Sequence, residues 1–307
     1  MGETPRTAPG HRVDRPDPAT EAFLTHRNLL FTVAYEMLGS AADAEDVLQE
    51  TWLRWAGPSR PELAEVRNQR AYLVRITTRQ ALGRMRTLGR RKESYVGPWL
   101  PEPLLTAPDV AEDVELADSV SMAMLLVLET LTPTERAVFV LREVFDLTYD
   151  EIAQAVDKTP AAIRQIAHRA REHVAARRPR GVVSPADTRD ALRAFQRAVE
   201  TGDLQGLLDT LAPDVVLMGD GGGIAQAALT PIVGADRVAR LLTSKVAAEA
   251  VPQPAQVNGY PALIFRRDGE IDTVMAVRID DGRITGLYAV RNPEKLSRME
   301  RETALRR

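Results

Sequence analysis

LTYDEIAQAVDKTPAAIRQIAHRAREHVAAR, residues 147–177, decides the architecture of the middle of this chain. Thr148 and Glu151 stand three residues apart ahead of an apolar run, the spacing of a capping box that opens a helix. Asp157 and Lys158 leave room only for a short turn, after which Thr159 offers an N-cap and Pro160 a first helical position. Asp tolerates the left-handed backbone that such a turn needs. Two helices joined so closely, the second rich in Arg, predict a helix-turn-helix, with an ordinary hairpin of a larger bundle as the competing reading. Ile152, Ala153, Val156, Ile163, Ile166 and Ala170 recur at helical spacing and supply its small core. Ala161, Arg164, Gln165, His168 and Arg169 then face outward and, with Thr159, are the groove-reading candidates.

Upstream of this motif, helices are expected from about Leu116 to Leu131 and from Thr132 through Phe145, the latter opened by Thr132, Pro133 and Glu135. Nearer the amino terminus, Phe23, Leu24, Leu29, Leu30, Phe31, Val33, Met37 and Leu38 define a first helix, which Gly39 ends. Ser40 caps a second, with Asp43 and Glu45 favoured in its first turn by the helix dipole. That helix buries Ala44, Val47 and Leu48 and shows Asp46, Gln49, Glu50 and Arg54 to solvent or a partner. Beyond Pro58 and Pro61 a third helix runs from about Gln69 to Leu88. The first helical domain therefore spans 20–92, after a polar leader over 1–19.

The net charge of -3 and pI near 5.9 argue against a polyanionic partner, but the average conceals the pattern. From Arg67 to Lys92 the charged residues are all basic, among them Arg75, Arg79, Arg84 and Arg86. From Lys158 to Arg180 a second basic block has Glu172 as its one acid. A Pro-rich acidic connector over 93–117, with Glu102, Asp109, Glu112, Asp113 and Glu115, separates the blocks. Two basic helical blocks held apart by an acidic connector suggest two contacts with one nucleic acid, against the plainer reading of two solvated helix faces.

With 307 residues, two or three domains are expected. No apolar run approaches the roughly 20 residues that span a bilayer, and the leader lacks the apolar centre of a signal peptide, so no membrane and a cytoplasmic location are expected. The chain has no cysteine, which excludes disulfides, thiolate catalysis and Cys-ligated metals.

After Ser184-Pro185 the composition changes. A helix with Leu192, Phe195 and Val199 and a shorter one with Leu204, Leu207 and Leu211 precede strand-like segments at 215–218, 262–267, 272–279 and 283–290. Asp268-Gly269 and Asp281-Gly282 turn between the later strands, and a helix from Ala235 to Val246 lies among them. Residues 184–307 are therefore an α+β domain built on a bent antiparallel sheet.

Asp46-Val47-Leu48-Gln49-Glu50-Thr51-Trp52, the basic run from Arg75 to Arg86 and the helix-turn-helix, in this order over residues 20–178, resemble sigma factors of the extracytoplasmic-function class. The resemblance implies two all-α sigma domains, at 20–92 and 118–178. It implies that Asp46, Gln49 and Glu50 dock on the β′ clamp of core RNA polymerase, the second domain meeting the β flap. Arg75, Arg79, Arg84 and Arg86 would melt and read the start-proximal promoter element. Thr159, Ala161, Arg164, Gln165, His168 and Arg169 would read the upstream one.

Trp99-Leu100-Pro101-Glu102-Pro103, Asp220-Gly221-Gly222-Gly223 and the run opened by Asn292-Pro293 look like a subgroup that fuses these domains to a SnoaL-like domain. That domain has the cone-shaped nuclear-transport-factor-2-like fold. The Gly-rich loop lets backbone approach closely, and Trp99 offers a rigid apolar anchor with a hydrogen-bonding indole. These residues are expected to dock the linker on the third domain, regulating it in cis without a separate anti-sigma factor. SnoaL-like cyclases use an acid-base side chain, which makes Asp220 the position to test. The four histidines, His11, His26, His168 and His173, all lie outside this domain, so no catalytic residue, metal or cofactor is expected. A repressor or activator with a ligand pocket would need only the helix-turn-helix and leaves the first domain unexplained.

Overall fold

The computed structural model describes residues 17–57, 66–107, 110, 113–177, 185–244 and 251–307. The leader up to residue 16, Pro58 and Pro61, Pro108, Asp109 and Glu112 of the connector, Arg178 and Arg180, and the expected helix end at Val246 lie outside the described residues.

Three helices build the first domain: α1 (Pro18–Leu38), α2 (Ala41–Ala56) and α3 (Gln69–Glu93). Gly39 ends α1 in the left-handed region at φ 66°, its N–H returning to Tyr35 O. Ser40 caps α2 by accepting from Asp43 N, and Asn68 caps α3 by accepting from Ala71 N. The second domain contains α4 (Val114–Val120), α5 (Met122–Leu128), α6 (Pro133–Phe139), α7 (Tyr149–Val156) and α8 (Pro160–Ala175). The single helix expected over 116–131 is broken at Ser121, which leaves helical geometry to cap α5 through Met124 N. The helix expected to reach Phe145 passes into one π turn, Val140–Val144, before Asp146 turns the chain at φ 50°.

The charge pattern suggested two basic blocks held apart, whereas the two helical domains share one continuous core. Leu30, Met37, Val47 and Leu73 of the first domain pack in the same cluster as Leu125, Val138, Leu141, Ile152 and Ile163 of the second. Apolar burial, at about 1.5–3 kcal/mol per large side chain, outweighs the repulsion between two solvated basic faces.

The third domain places α9 (Pro185–Thr201), α10 (Leu204–Thr210) and α11 (Ala235–Leu242) against a six-stranded sheet. Its strands are β1 (Leu211–Asp220), β2 (Ile232–Val233), β3 (Val251–Val257), β4 (Tyr260–Arg267), β5 (Glu270–Asp280) and β6 (Arg283–Val290), in the order β2-β1-β6-β5-β4-β3. β1 runs parallel to β6 and the other pairs are antiparallel. The edge strands β2 and β3 escaped the sequence reading, since two residues are too few to show alternation and β3 carries Pro252 and Pro254.

Alternation along the strands gives the sheet two apolar faces. Leu217, Leu263, Phe265, Met275 and Leu287 meet Phe195 and Val238 of the helices, while Ala262, Ile264, Val274, Ala276 and Val290 meet Leu100 of the connector and Met122 of α5. This second face welds the third domain to the helical ones.

Asn258 and Gly259 form the β3–β4 turn, both at positive φ. Asn258 Nδ2 donates to Tyr35 Oη at 2.6 Å and to Val120 O at 2.8 Å, and its Oδ1 accepts from Leu104 N at 3.0 Å. One buried amide thus ties all three domains and the connector together. We expect Asn258→Asp, which keeps the left-handed preference but loses the donor to Val120 O, to cost about 1–3 kcal/mol, read as a lowered denaturant midpoint at unchanged slope.

Candidate polymerase, promoter and interdomain surfaces

The amino end of α2 receives a carboxyl group from the connector, whose pKa burial raises against the hydrogen bonds it accepts there. Glu102 Oε2 accepts from Ala41 N at 2.8 Å, from Ala42 N at 3.2 Å and from Ser40 Oγ at 3.2 Å. Beyond that cap, Asp46 and Gln49 are exposed and Glu50 half-exposed on one face. Arg84 reaches this face from α3, donating to Asp43 Oδ1 at 2.8 Å, pairing with Asp46 and lying 3.9 Å from Glu50. A candidate start-proximal DNA contact therefore sits among the candidate polymerase-docking carboxylates.

The other start-proximal residues divide. Arg86 and Arg79 are exposed, Arg79 reaching the second domain, whereas Arg75 is half-buried and stacks 4.7 Å from the Tyr72 ring centroid. Arg79 Nη2 donates to Gln154 O at 2.8 Å and Nε to Ala155 O at 3.3 Å, putting a cation at the negative carboxyl end of α7. Arg67, Tyr72 and Arg75 face Glu151 and Gln154 across an open cleft of about 470 Å³. In this arrangement the first helix of the helix-turn-helix covers part of the surface expected to meet melted DNA.

The helix-turn-helix has the expected geometry. Asp157 turns the chain at φ 56° and ψ 56°, and Thr159 accepts from Ala162 N to cap α8. Ile152, Ala153, Ile163, Ile166 and Ala170 are buried and Val156 half-buried. Thr159, Ala161, Arg164, Gln165, His168 and Arg169 are all exposed, and Arg164 lies 5.4 Å from the centroid of the Tyr149 ring.

The connector crosses the third domain as a strap. Asp220, at the end of β1 and fully buried, accepts from Tyr95 Oη at 2.5 Å, from Leu100 N at 2.9 Å and from Lys295 Nζ at 2.7 Å. Lys295 also donates to Leu100 O at 2.6 Å and lies 3.6 Å from the Trp99 ring centroid and 4.8 Å from that of Tyr95. Asn292 caps α12 (Pro293–Leu296), which presents Lys295, and donates from Nδ2 to Tyr95 Oη at 2.8 Å. Burial drives the Lys295 amine down to about 8, against the pull of Asp220. Burial also pushes the Tyr95 phenol up, reinforced by its hydrogen bond to Asp220. Gly222 has φ 62°, and a Cβ there would lie 2.3 Å from Asn292 Nδ2, so the close approach requires glycine.

The strap thus unites Trp99, Leu100, Asp220, Asn292 and the triple glycine as the sequence suggested, with two differences. The Trp99 indole nitrogen is buried and finds no acceptor among the described residues, so the ring binds through its π face instead. Pro101, Glu102 and Pro103 are buried as well, but Glu102 binds the amino end of α2 in the first domain rather than the third domain. Sequence reasoning missed Tyr95 and Lys295 as partners, although Lys295 follows Pro293 by two residues and Tyr95 precedes Trp99 by four. The tail from Asn292, expected as a latch over the strap surface, also reaches the helical domains, where Leu305 enters their core and Arg307 pairs with Asp113 and Glu115.

Sequence models of two families match the chain, Sigma-70 region 2 over residues 22–91 and Sigma-70 region 4 over 121–174. The ECF RNA polymerase sigma factor SigJ of Mycobacterium tuberculosis is 34% identical over 288 residues, covering 88% of this chain and 91% of that protein. The probable ECF RNA polymerase sigma factor SigI of the same organism is 34% identical over 292 residues, covering 93% and 97%. The crystal structure of SigJ superposes with a TM-score of 0.72 at 31% identity, covering 91% of this chain and 99% of that one. The chain belongs to the extracytoplasmic-function family of RNA polymerase sigma factors. It is thus a transcription initiation factor, with core RNA polymerase and promoter DNA as partners, and its helical sigma domains are followed by an α+β domain of the SnoaL-like class.

Removing one member of the buried ion pair strands the other. We expect Asp220→Ala to destabilise the fold by about 3–5 kcal/mol and the pair Asp220→Ala with Lys295→Met to recover part of it, measured by denaturant unfolding.

Proposed function

We propose that this sigma factor docks on the polymerase β′ clamp through Asp46, Gln49 and Glu50, meets the β flap through its second domain, and works in the cytoplasm. Arg75, Arg79, Arg84 and Arg86 contact start-proximal DNA, Arg84 by exchanging its carboxylate partners for phosphate. Thr159, Ala161, Arg164, Gln165, His168 and Arg169 read the upstream element in the major groove. The SnoaL-like domain regulates in cis, by gripping the strap that sets the separation of the two DNA-binding domains, so that no separate anti-sigma factor is required.

The observation that carries this reading is the Asp220–Lys295 clasp on Leu100 and Trp99, midway between the two DNA-binding domains. With the strap held, Arg79 is bonded to Gln154 O and Ala155 O, contacts that DNA phosphate exchanges when it binds. Asp220 is enclosed by three donors at zero exposure, which supports a structural role and leaves no room for a substrate.

Run-off transcription with core polymerase tests the proposal. We expect Glu50→Lys to lower output on all promoters through weaker core binding. Arg164→Ala should reduce output on matched upstream elements by roughly tenfold, the about 1–3 kcal/mol of a bidentate base contact, but leave scrambled ones unchanged. Gly222→Val, which forces the strap off its seat, should raise binding to start-proximal bubble DNA, and an unchanged value would sink the regulatory role.

A further inference from the structure

Glu36 lies on the inner face of α1 at zero exposure, where α4 and α6 of the second domain meet the first. Its Oε1 is 2.8 Å from Ser119 Oγ, and the same Oγ is 2.9 Å from Leu116 O. A hydroxyl carries one proton, and a backbone carbonyl can only accept. If Ser119 gives its proton to Leu116 O, the contact with Glu36 needs a proton from the carboxyl itself. Glu36 Oε2 has no polar partner among the described residues, so an ionised carboxylate here would be half unmatched in a dry site.

The neighbouring cation makes its ion pair with Glu129 rather than with this carboxyl. Arg136, only 2% exposed, uses Nε on the Glu36 backbone carbonyl at 2.8 Å and Nη1 on Glu129 Oε1 at 2.6 Å. From α3, Lys92 pairs with Glu129 as well. From the strap, Glu102 faces α2 and receives Tyr35 Oη on its backbone oxygen at 2.7 Å, and Asn258 supplies an uncharged amide to the same phenol. Arg136 Nη2 and Glu102 Oε1, both buried, find no hydrogen-bond partner among the described residues.

We propose that Glu36 is a neutral carboxylic acid acting as a proton-operated latch between the two sigma domains, protonated while α1 packs on α4 and α6 and ionised when they separate. Burial pushes the carboxyl up to about 8, against the opposing pulls of Ser119 and Arg136. A carboxyl raised in the packed state stabilises packing fully below the ordinary 4.5 and loses that contribution as the pH rises towards 8. Alkalinisation therefore loosens the arrangement in which Arg79 is bonded to the carboxyl end of α7, whichever promoter element each domain reads.

The chain has no cysteine, so Glu21→Cys and Ala176→Cys, both exposed, give a two-colour label pair on α1 and just past α8 of the full-length protein. Energy transfer is followed through a urea titration at a series of pH values between about 5 and 8, the window of one coupled proton. We expect the separation constant of the labelled parent, relative to that of its Glu36→Gln variant, to rise about tenfold per pH unit. The Gln variant keeps a donor towards Ser119 and does not titrate. Equal pH profiles for the two proteins overturn the proposal. If Glu36→Gln does not pack, infrared difference spectra of the unlabelled parent decide: a protonated-carboxyl band lost on raising the pH from about 6 to about 9 supports the latch, and its absence at the lower pH overturns it.

Discussion

Everything in the arrangement of this sigma factor turns on a buried ion pair. Burying Asp220 and Lys295 would be unfavourable by several kcal/mol per ion if either were incompletely matched. The match is supplied by groups remote in sequence: Tyr95 Oη and Leu100 N on the carboxylate, Leu100 O and the Trp99 and Tyr95 rings on the ammonium. Because those partners all belong to the connector, the pair is satisfied only when the connector lies across the third domain. The electrostatic requirement of two residues thereby fixes the path of a segment that links two DNA-binding domains.

That path brings opposite charges together inside the molecule in ways that anticipate its external partners. Arg84 lies among Asp43, Asp46 and Glu50, and Arg79 sits on the carboxyl end of α7. Each is an exchangeable contact of modest strength in a partly solvated setting, unlike the Asp220–Lys295 pair. Phosphates and polymerase side chains can therefore replace them without first overcoming a buried pair. The fold combines a durable clasp on the strap with weak internal contacts at the faces expected to bind.

Much of the helical half was legible from local signals. Thr148 and Glu151, Thr132 and Glu135, and Ser40 cap helices through contacts within one turn, so spacing alone reveals them. The outward face of α8 followed from period 3.6, and the left-handed turn at Asp157 from the tolerance of Asp. The break at Ser121 and the π turn at Val140–Val144 were not legible, because both sequences remain apolar and helix-compatible and the break is set by packing.

The sequence alone determined which helices form, where they are capped, which residues of α8 point outward, and that the chain carries an α+β domain behind two basic helical blocks. Those properties depend on neighbours within a few residues. Only the tertiary structure decided that the two blocks share a core, that Trp99 binds by its face, and that Lys295, Asn258 and Glu36 hold the joints. Each of these depends on partners tens to hundreds of residues away, whose approach is fixed by burial of both sheet faces rather than by any local pattern.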